Sequence, residues 1–202
     1  MKKFIIMFGV TIISILLIVN TINYFGLKRE NIKFSSNNKD VNISYDIARK
    51  RAAQWHSNAY LVDLVIEINP NNKETLFAYF VGKGFFSRFS DKAEITVDIK
   101  EKNIISFDIE KGSIEPNYDD NFPMTTIIKH RWKELLEYAD NKVGNRFIKD
   151  NPEVTRYFIF QNNQRVIVRY LSKITSRFTN VNLDDEMLNL SIEEGNLPSL
   201  RQ

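Results

Sequence analysis

The sequence predicts an α+β protein in which an N-terminal transmembrane helix precedes two helix-plus-antiparallel-meander repeats. Three observations carry that prediction. The stretch from Phe4 to Gly26 has no charged side chain. Two later stretches with apolar residues at helical spacing are each followed by β-branched, alternating segments parted by polar turns. Those two halves also share short residue patterns in the same order, as a tandem duplication would leave them.

The N-terminal run sets the location. About 23 residues at a rise of about 1.5 Å can cross a hydrocarbon core of about 30 Å. Lys2 and Lys3 precede the run, and Lys28 and Arg29 follow it. A cleaved signal peptide would have a shorter apolar region and small residues at the cut, whereas Asn20, Thr21, Ile22 and Asn23 suit cleavage poorly. A lipoprotein signal would need a cysteine, and the sequence has none. An uncleaved signal anchor over residues 1–27, with Phe4 and Gly26 bounding its apolar part, fits best; cleavage and a buried core helix are the competing readings. Lys/Arg on the two flanks nearly balance. Orientation therefore comes from the layout, a short tail before a long soluble part, which places the bulk outside the cytoplasm. The expected location is the cell membrane, crossed once, with an extracytoplasmic C-terminal part.

A polar tether over residues 28–43 follows, containing Ser35, Ser36, Asn37 and Asn38. The first repeat covers residues 44–112. Tyr45, Ala48, Ala52 and Trp55 predict a helix over Tyr45–Ser57, with Ser44 as its N-cap. Strands are predicted over Tyr60–Ile68, Thr75–Val81, Ile95–Ile99 and Ile104–Ile109, with turns at Asn69–Asn72 and Lys100–Asn103. Residues 113–123 carry two prolines and read as a linker. The second repeat covers 124–195. Ile128, Trp132, Leu135, Leu136 and Ala139 predict a helix over Met124–Val143, capped by Thr125. Strands follow at Val154–Phe160, Val166–Leu171, Phe178–Leu183 and Met187–Ile192, and residues 196–202 form a tail. Ser87-Arg88-Phe89-Ser90 corresponds to Ser176-Arg177-Phe178-Thr179, and Phe80-Val81-x-Lys83 to Tyr170-Leu171-x-Lys173.

Charge excludes one class of partner. Lys plus Arg is 28 and Asp plus Glu is 25, a net of +3, and both halves are balanced in sign. A nucleic-acid binder would cluster its basic residues on one face. The sequence shows no catalytic constellation, no cofactor motif and no small-molecule substrate site. Its two histidines, His56 and His130, lie on predicted helices and lack the spacing of a metal site. Ser36-x-x-Lys39 has the spacing of an activated serine but lies in the tether, which gives no rigid, desolvated setting. Glu115, Asp119 and Asp120 lack the spacing of a calcium loop. Arg165, Arg169, Lys173 and Arg177 recur every four residues, but the β-branched run Val166-Ile167-Val168 favours strands over a basic helical stripe.

Fifteen Phe and eight Tyr are expected mostly in the core. The Gly82-Lys83-Gly84-Phe85-Phe86 stretch is the best candidate for an exposed aromatic loop. Candidate partner-binding residues are Lys83, Phe85, Phe86 and Arg88, with Lys173 and Arg177 in the matching places of the second half.

A helix followed by a curled meander that closes with VDIKEKNIISFDIEKG resembles the PepSY family. Two such units behind one anchor resemble the membrane-anchored tandem PepSY-like proteins of Gram-positive envelopes. The closing turns Lys100–Asn103 and Asp184–Glu186 depart from the family in lacking Gly, which leaves other cystatin-like folds open. The resemblance implies interaction rather than turnover: a non-catalytic, membrane-anchored regulatory protein acting on an envelope protein. The alternative is a structural subunit of a secretion or conjugation-type membrane complex with a cystatin-like domain.

Overall fold

The structure is a computed structural model that describes residues 11–18, 33–34, 38–82, 90–114, 127–128, 130–151, 153–160, 165–184 and 190–196. In chain order these form helix α1 (residues 11–18) and strand β1 (Lys33–Phe34). Helix α2 (Lys39–Trp55) comes next, with strands β2 (Tyr60–Ile68), β3 (Glu74–Gly82), β4 (Ser90–Asp98) and β5 (Asn103–Ile114). Then follow β6 (Ile127–Ile128), α3 (Trp132–Ala139), a π-helical turn (Asp140–Gly144) and α4 (Asn145–Asp150). Strands β7 (Thr155–Phe160), β8 (Arg165–Ser172), β9 (Arg177–Asp184) and β10 (Leu190–Asn196) end the series.

Eight of the strands form one antiparallel sheet in the order β10-β9-β8-β7-β2-β3-β4-β5. Each neighbour but one is a hairpin partner. The exception joins the two halves at the centre, where Leu64 faces Phe160 and Ile68 faces Arg156. Strands β1 and β6 pair separately and in parallel, Lys33 with Ile127 and Phe34 with Ile128.

The helices cover one face of this sheet. Period-two alternation sends Leu64, Ile66, Leu76, Ala78, Phe80, Ile95, Phe158, Val166 and Val168 to that side, each at most 1% exposed. Helix α2 meets them with Val41, Tyr45, Ala48 and Ala52, and α3 with Trp132, Leu135, Leu136 and Ala139. Those residues recur at three- and four-residue intervals, which is one stripe of a helix. Small side chains at Ala48 and Ala52 let α2 lie close to the strands.

Two polar clamps fix the helices. Asn38 sits at the start of α2, yet its side chain serves α3. Its Oδ1 accepts from the backbone N–H of Trp132 at 2.8 Å and its Nδ2 donates to the carbonyl of His130 at 2.9 Å. Further along, Asp140 at the π-turn accepts from the hydroxyl of Tyr170 at 2.6 Å and from Arg156 at 3.0 Å. Arg156 also donates to Asn72 at 2.7 Å, tying the turn before β3 to β7.

The structure corrects the predicted architecture. The strands do not divide into two helix-plus-meander repeats; they merge through β2 and β7 into a single eight-stranded sheet. No helix among the described residues is long and apolar enough to cross a membrane. The described part of helix α1 covers residues 11–18. Phe4 and Gly26 lie outside the described residues.

Helix boundaries also move. Helix α2 starts at Lys39, inside the predicted tether, and Ser44 is buried within it, donating to the carbonyl of Asp40 at 3.0 Å. The predicted helix over Met124–Val143 begins only at Trp132, because Ile127 and Ile128 pair with β1. Thr125 lies outside the described residues.

Candidate binding face

The other face of the sheet is built from the alternate residues of the same strands, and no described helix contributes to the small cluster of Tyr60, Val62, Val81 and Tyr79 on that side. Register places its side chains in rows that cross the strands. Ile167 faces Ile159, Ile159 faces Val65, and Val65 faces Phe77. All four are half-buried, so an apolar stripe runs across β8, β7, β2 and β3. A hydrogen-bonded polar pair closes each end. Asn182 donates to Ser191 at 3.2 Å beyond β8, and Ser106 donates to Thr96 at 3.0 Å beyond β3.

A polar row lies one pleat repeat along the strands. Asn180 donates to Glu193 at 3.3 Å and accepts from Arg169 at 2.8 Å. Arg169 faces Tyr157 across the register, and the Tyr157 hydroxyl donates to Glu67. The row therefore runs unbroken from β10 to β2. Burial of the Tyr157 phenol, with Glu67 as its charged neighbour and acceptor, pushes its pKa up to about 12.

The third row is acidic. Asp63 faces Tyr79, Tyr79 faces Glu94, and Glu94 faces Asp108. A bulge leaves Val62 without a partner on β3 and turns Asp63 onto this face. Burial raises the Asp63 carboxyl above the usual range, opposed by the Leu64 N–H bond at 2.8 Å and by Lys92. Burial and the charges of Glu94 and Asp63 push Tyr79 up to about 12. The ammonium of Lys92 stands 4.7 Å from the Tyr79 ring.

Of the predicted site residues, Lys83, Phe85, Phe86 and Arg88 lie outside the described residues. Lys173 is exposed in the turn between β8 and β9, and Arg177 is exposed as the first residue of β9, facing Ser172 and Asn196 in register. The four-residue basic spacing thus crosses a hairpin: Arg165 and Arg169 are on β8, Lys173 in the turn and Arg177 on β9. No metal-holding group of His, Asp and Glu occurs among the described residues. His56 packs edge-on against Trp55 at 4.5 Å and lies 3.9 Å from Asp91.

One open groove of about 800 Å³ lies at the sheet end between the starts of α2 and α3 and the turns after β2 and β4. Five of its charged side chains pair with one another. Lys133 reaches Glu74 at 3.0 Å and Asp40 at 3.8 Å, and Lys73 reaches Asp98 at 3.1 Å.

Sequence reasoning did not find this face of the sheet, helix-free among the described residues. A signal existed in the alternation Asp63-x-Val65-x-Glu67 and Tyr157-x-Ile159, which marks one side of each strand. The pairing of those strands, which aligns the rows, has no local signature.

No family model matches the chain, PepSY included, and no curated protein matches it. Among solved structures, it is similar to a protein of Clostridium difficile 630 described as a "putative lipoprotein", at 14% identity and a TM-score of 0.42. The match covers 75% of this chain and 92% of that one. A likeness of this strength does not bear on function.

Proposed function

We propose that this chain is a non-catalytic, membrane-associated binding or regulatory protein that acts on a protein partner at the extracytoplasmic side of the envelope. The observation that supports it is the helix-free face, where an apolar stripe of Ile167, Ile159, Val65 and Phe77 lies between two polar rows in register. A half-buried apolar band with ordered polar flanks has the make-up of a protein interface: apolar at its centre and hydrogen-bonding at its rim. The envelope location rests on the sequence, which is uncharged from Phe4 to Gly26 and free of cysteine.

Site-specific photo-crosslinking in intact cells tests this reading. A photoreactive residue replaces Phe77 or Ile159 on the helix-free face, or Ala53 or Gln54 on the exposed side of α2. The expected result is one discrete protein adduct from the first pair and none from the second. Adducts from α2 alone would sink the proposal.

A further inference from the structure

We infer that the occupant of the helix-free face is a cationic amphipathic segment of a partner protein, rich in Lys and Arg. The inference rests on the binding role just proposed and adds the chemistry of the partner.

The sign of the face comes first. Glu67 and Glu193 lie on one side of the apolar stripe, and Asp63, Glu94 and Asp108 on the other. Arg165, two residues from Ile167 on β8, faces the acidic Asp184 in register, which leaves Lys92 and Arg169 against them. Both are engaged within the face, Lys92 over the Tyr79 ring and Arg169 on Asn180. The chain as a whole carries a net charge of +3, so this acidity is a local segregation and not a reflection of composition. An anionic membrane surface or an acidic peptide would meet like charge here. A basic partner would be drawn to the face before contact, and its affinity would fall as salt screens the field.

Shape comes second. The stripe crosses four neighbouring strands, which at about 4.8 Å per strand gives about 14 Å of apolar length. The acidic flanks lie two residues along the strands, about 7 Å to either side. A helix about 10 Å wide laid on the stripe would cover it with roughly ten residues and set its flanking side chains over the carboxylates. The segment that fits has apolar residues on one face and Lys or Arg at that face's borders.

The test uses the full chain in a nonionic detergent and two synthetic peptides. One has Leu and Lys at amphipathic helical spacing; the other has Glu in place of each Lys. Fluorescence anisotropy of labelled peptide gives the affinities at low and moderate salt. The Leu/Lys peptide is expected to bind, more weakly as salt rises, and the Leu/Glu peptide not to bind.

Three ion pairs at the rim of the face, one with an exposed and two with a half-buried carboxylate, at roughly 0.5 kcal/mol each amount to about a tenfold change in Kd. The triple variant Asp63→Asn, Glu94→Gln, Asp108→Asn is therefore expected to bind the Leu/Lys peptide about tenfold more weakly. Asp46→Asn, on the exposed side of α2, should leave it unchanged. Equal binding of both peptides, no binding of either, or a triple variant with unchanged affinity would overturn the inference. If the Phe77 and Ile159 adducts still form in cells in any of those cases, the face is used by a partner of other chemistry. If they do not, the binding role itself fails.

Discussion

Asn38→Ala should destabilise the fold far more than a polar residue before a helix usually does. Asn38 is 1% exposed and stands 94 positions from the residue whose N–H it accepts. Truncation removes a helix cap, worth about 1 kcal/mol. It also strands the buried N–H of Trp132 and weakens the bonding of the His130 carbonyl, where an orphaned group costs about 1–3 kcal/mol. The expected loss is about 2–3 kcal/mol, since the two costs overlap in the same N–H.

Asn38→Asp separates the two parts of the clamp. It keeps an acceptor for Trp132 at a helix N-terminus, where negative charge is favoured, but sets a carboxylate oxygen against the His130 carbonyl. That carboxylate would also be buried, and burying a charge is costly, so the loss should be at least that of Ala. Urea unfolding followed by tryptophan emission suits the measurement, because Trp132 is one of only two tryptophans and is 2% exposed. The midpoints should rank wild type above both variants, with Asp no higher than Ala and the slope unchanged. A loss under about 0.5 kcal/mol for Ala, within the range of ordinary surface substitutions, or an Asp variant as stable as wild type, would refute the clamp.

Three further outcomes are expected. Tyr170→Phe removes the 2.6 Å bond to the Asp140 carboxylate and should cost about 1.5–3 kcal/mol by urea unfolding, as for hydrogen bonds to charged groups. Spectrophotometric titration of tyrosinate should show Tyr79 and Tyr157 ionising near 12; the folded state holds them protonated, so their contribution to stability is intact below the ordinary value of 10.0 and is lost as pH rises through about 12. Asp98 runs the opposite way. Backbone N–H bonds from Glu101 and Lys100 and the Lys73 ammonium hold its carboxyl below the usual range, so its stabilisation is present above the unfolded value and lost as pH falls through the depressed one. Asp98→Asn should flatten that acid limb of the stability curve; an unchanged limb would count against the assignment.

Local pattern carried the strands further than the helices. Tyr60–Ile68 forms a strand with the bounds its alternation predicts, and Thr75–Val81 lies within β3. Helix α2 begins five residues ahead of Ser44 at Lys39, because the stabilising partner of Asn38 is Trp132, far off in sequence. The turn after β4 needs no glycine, since the Asp98 carboxylate accepts the N–H groups of Lys100 and Glu101 while Lys102 takes a φ of 54°. That substitution of a side-chain bond for a glycine is readable only once the turn is seen. The fusion of two meanders into one sheet rests on β2 meeting β7, and no residue spacing announces a pairing across about ninety positions. The face opposite α2 and α3 is hidden for the same reason, because its rows exist only in that register.

The β2–β7 seam gives the molecule a natural line of division. All other neighbours in the sheet are hairpins closed within one half, so the seam carries the sheet's long-range pairing, from Leu64–Phe160 to Ile68–Arg156. Parting the halves of a chain cut between Ile114 and Ile127 would leave each its complete set of hairpins and one newly unpaired strand edge, β2 or β7. Co-expressed as separate polypeptides, the halves should reassemble through that edge, held also by Asn38 against Trp132 and Arg156 against Asn72. The same geometry lets β2 of one molecule accept β7 of another, so strand exchange between copies is the built-in hazard of this topology.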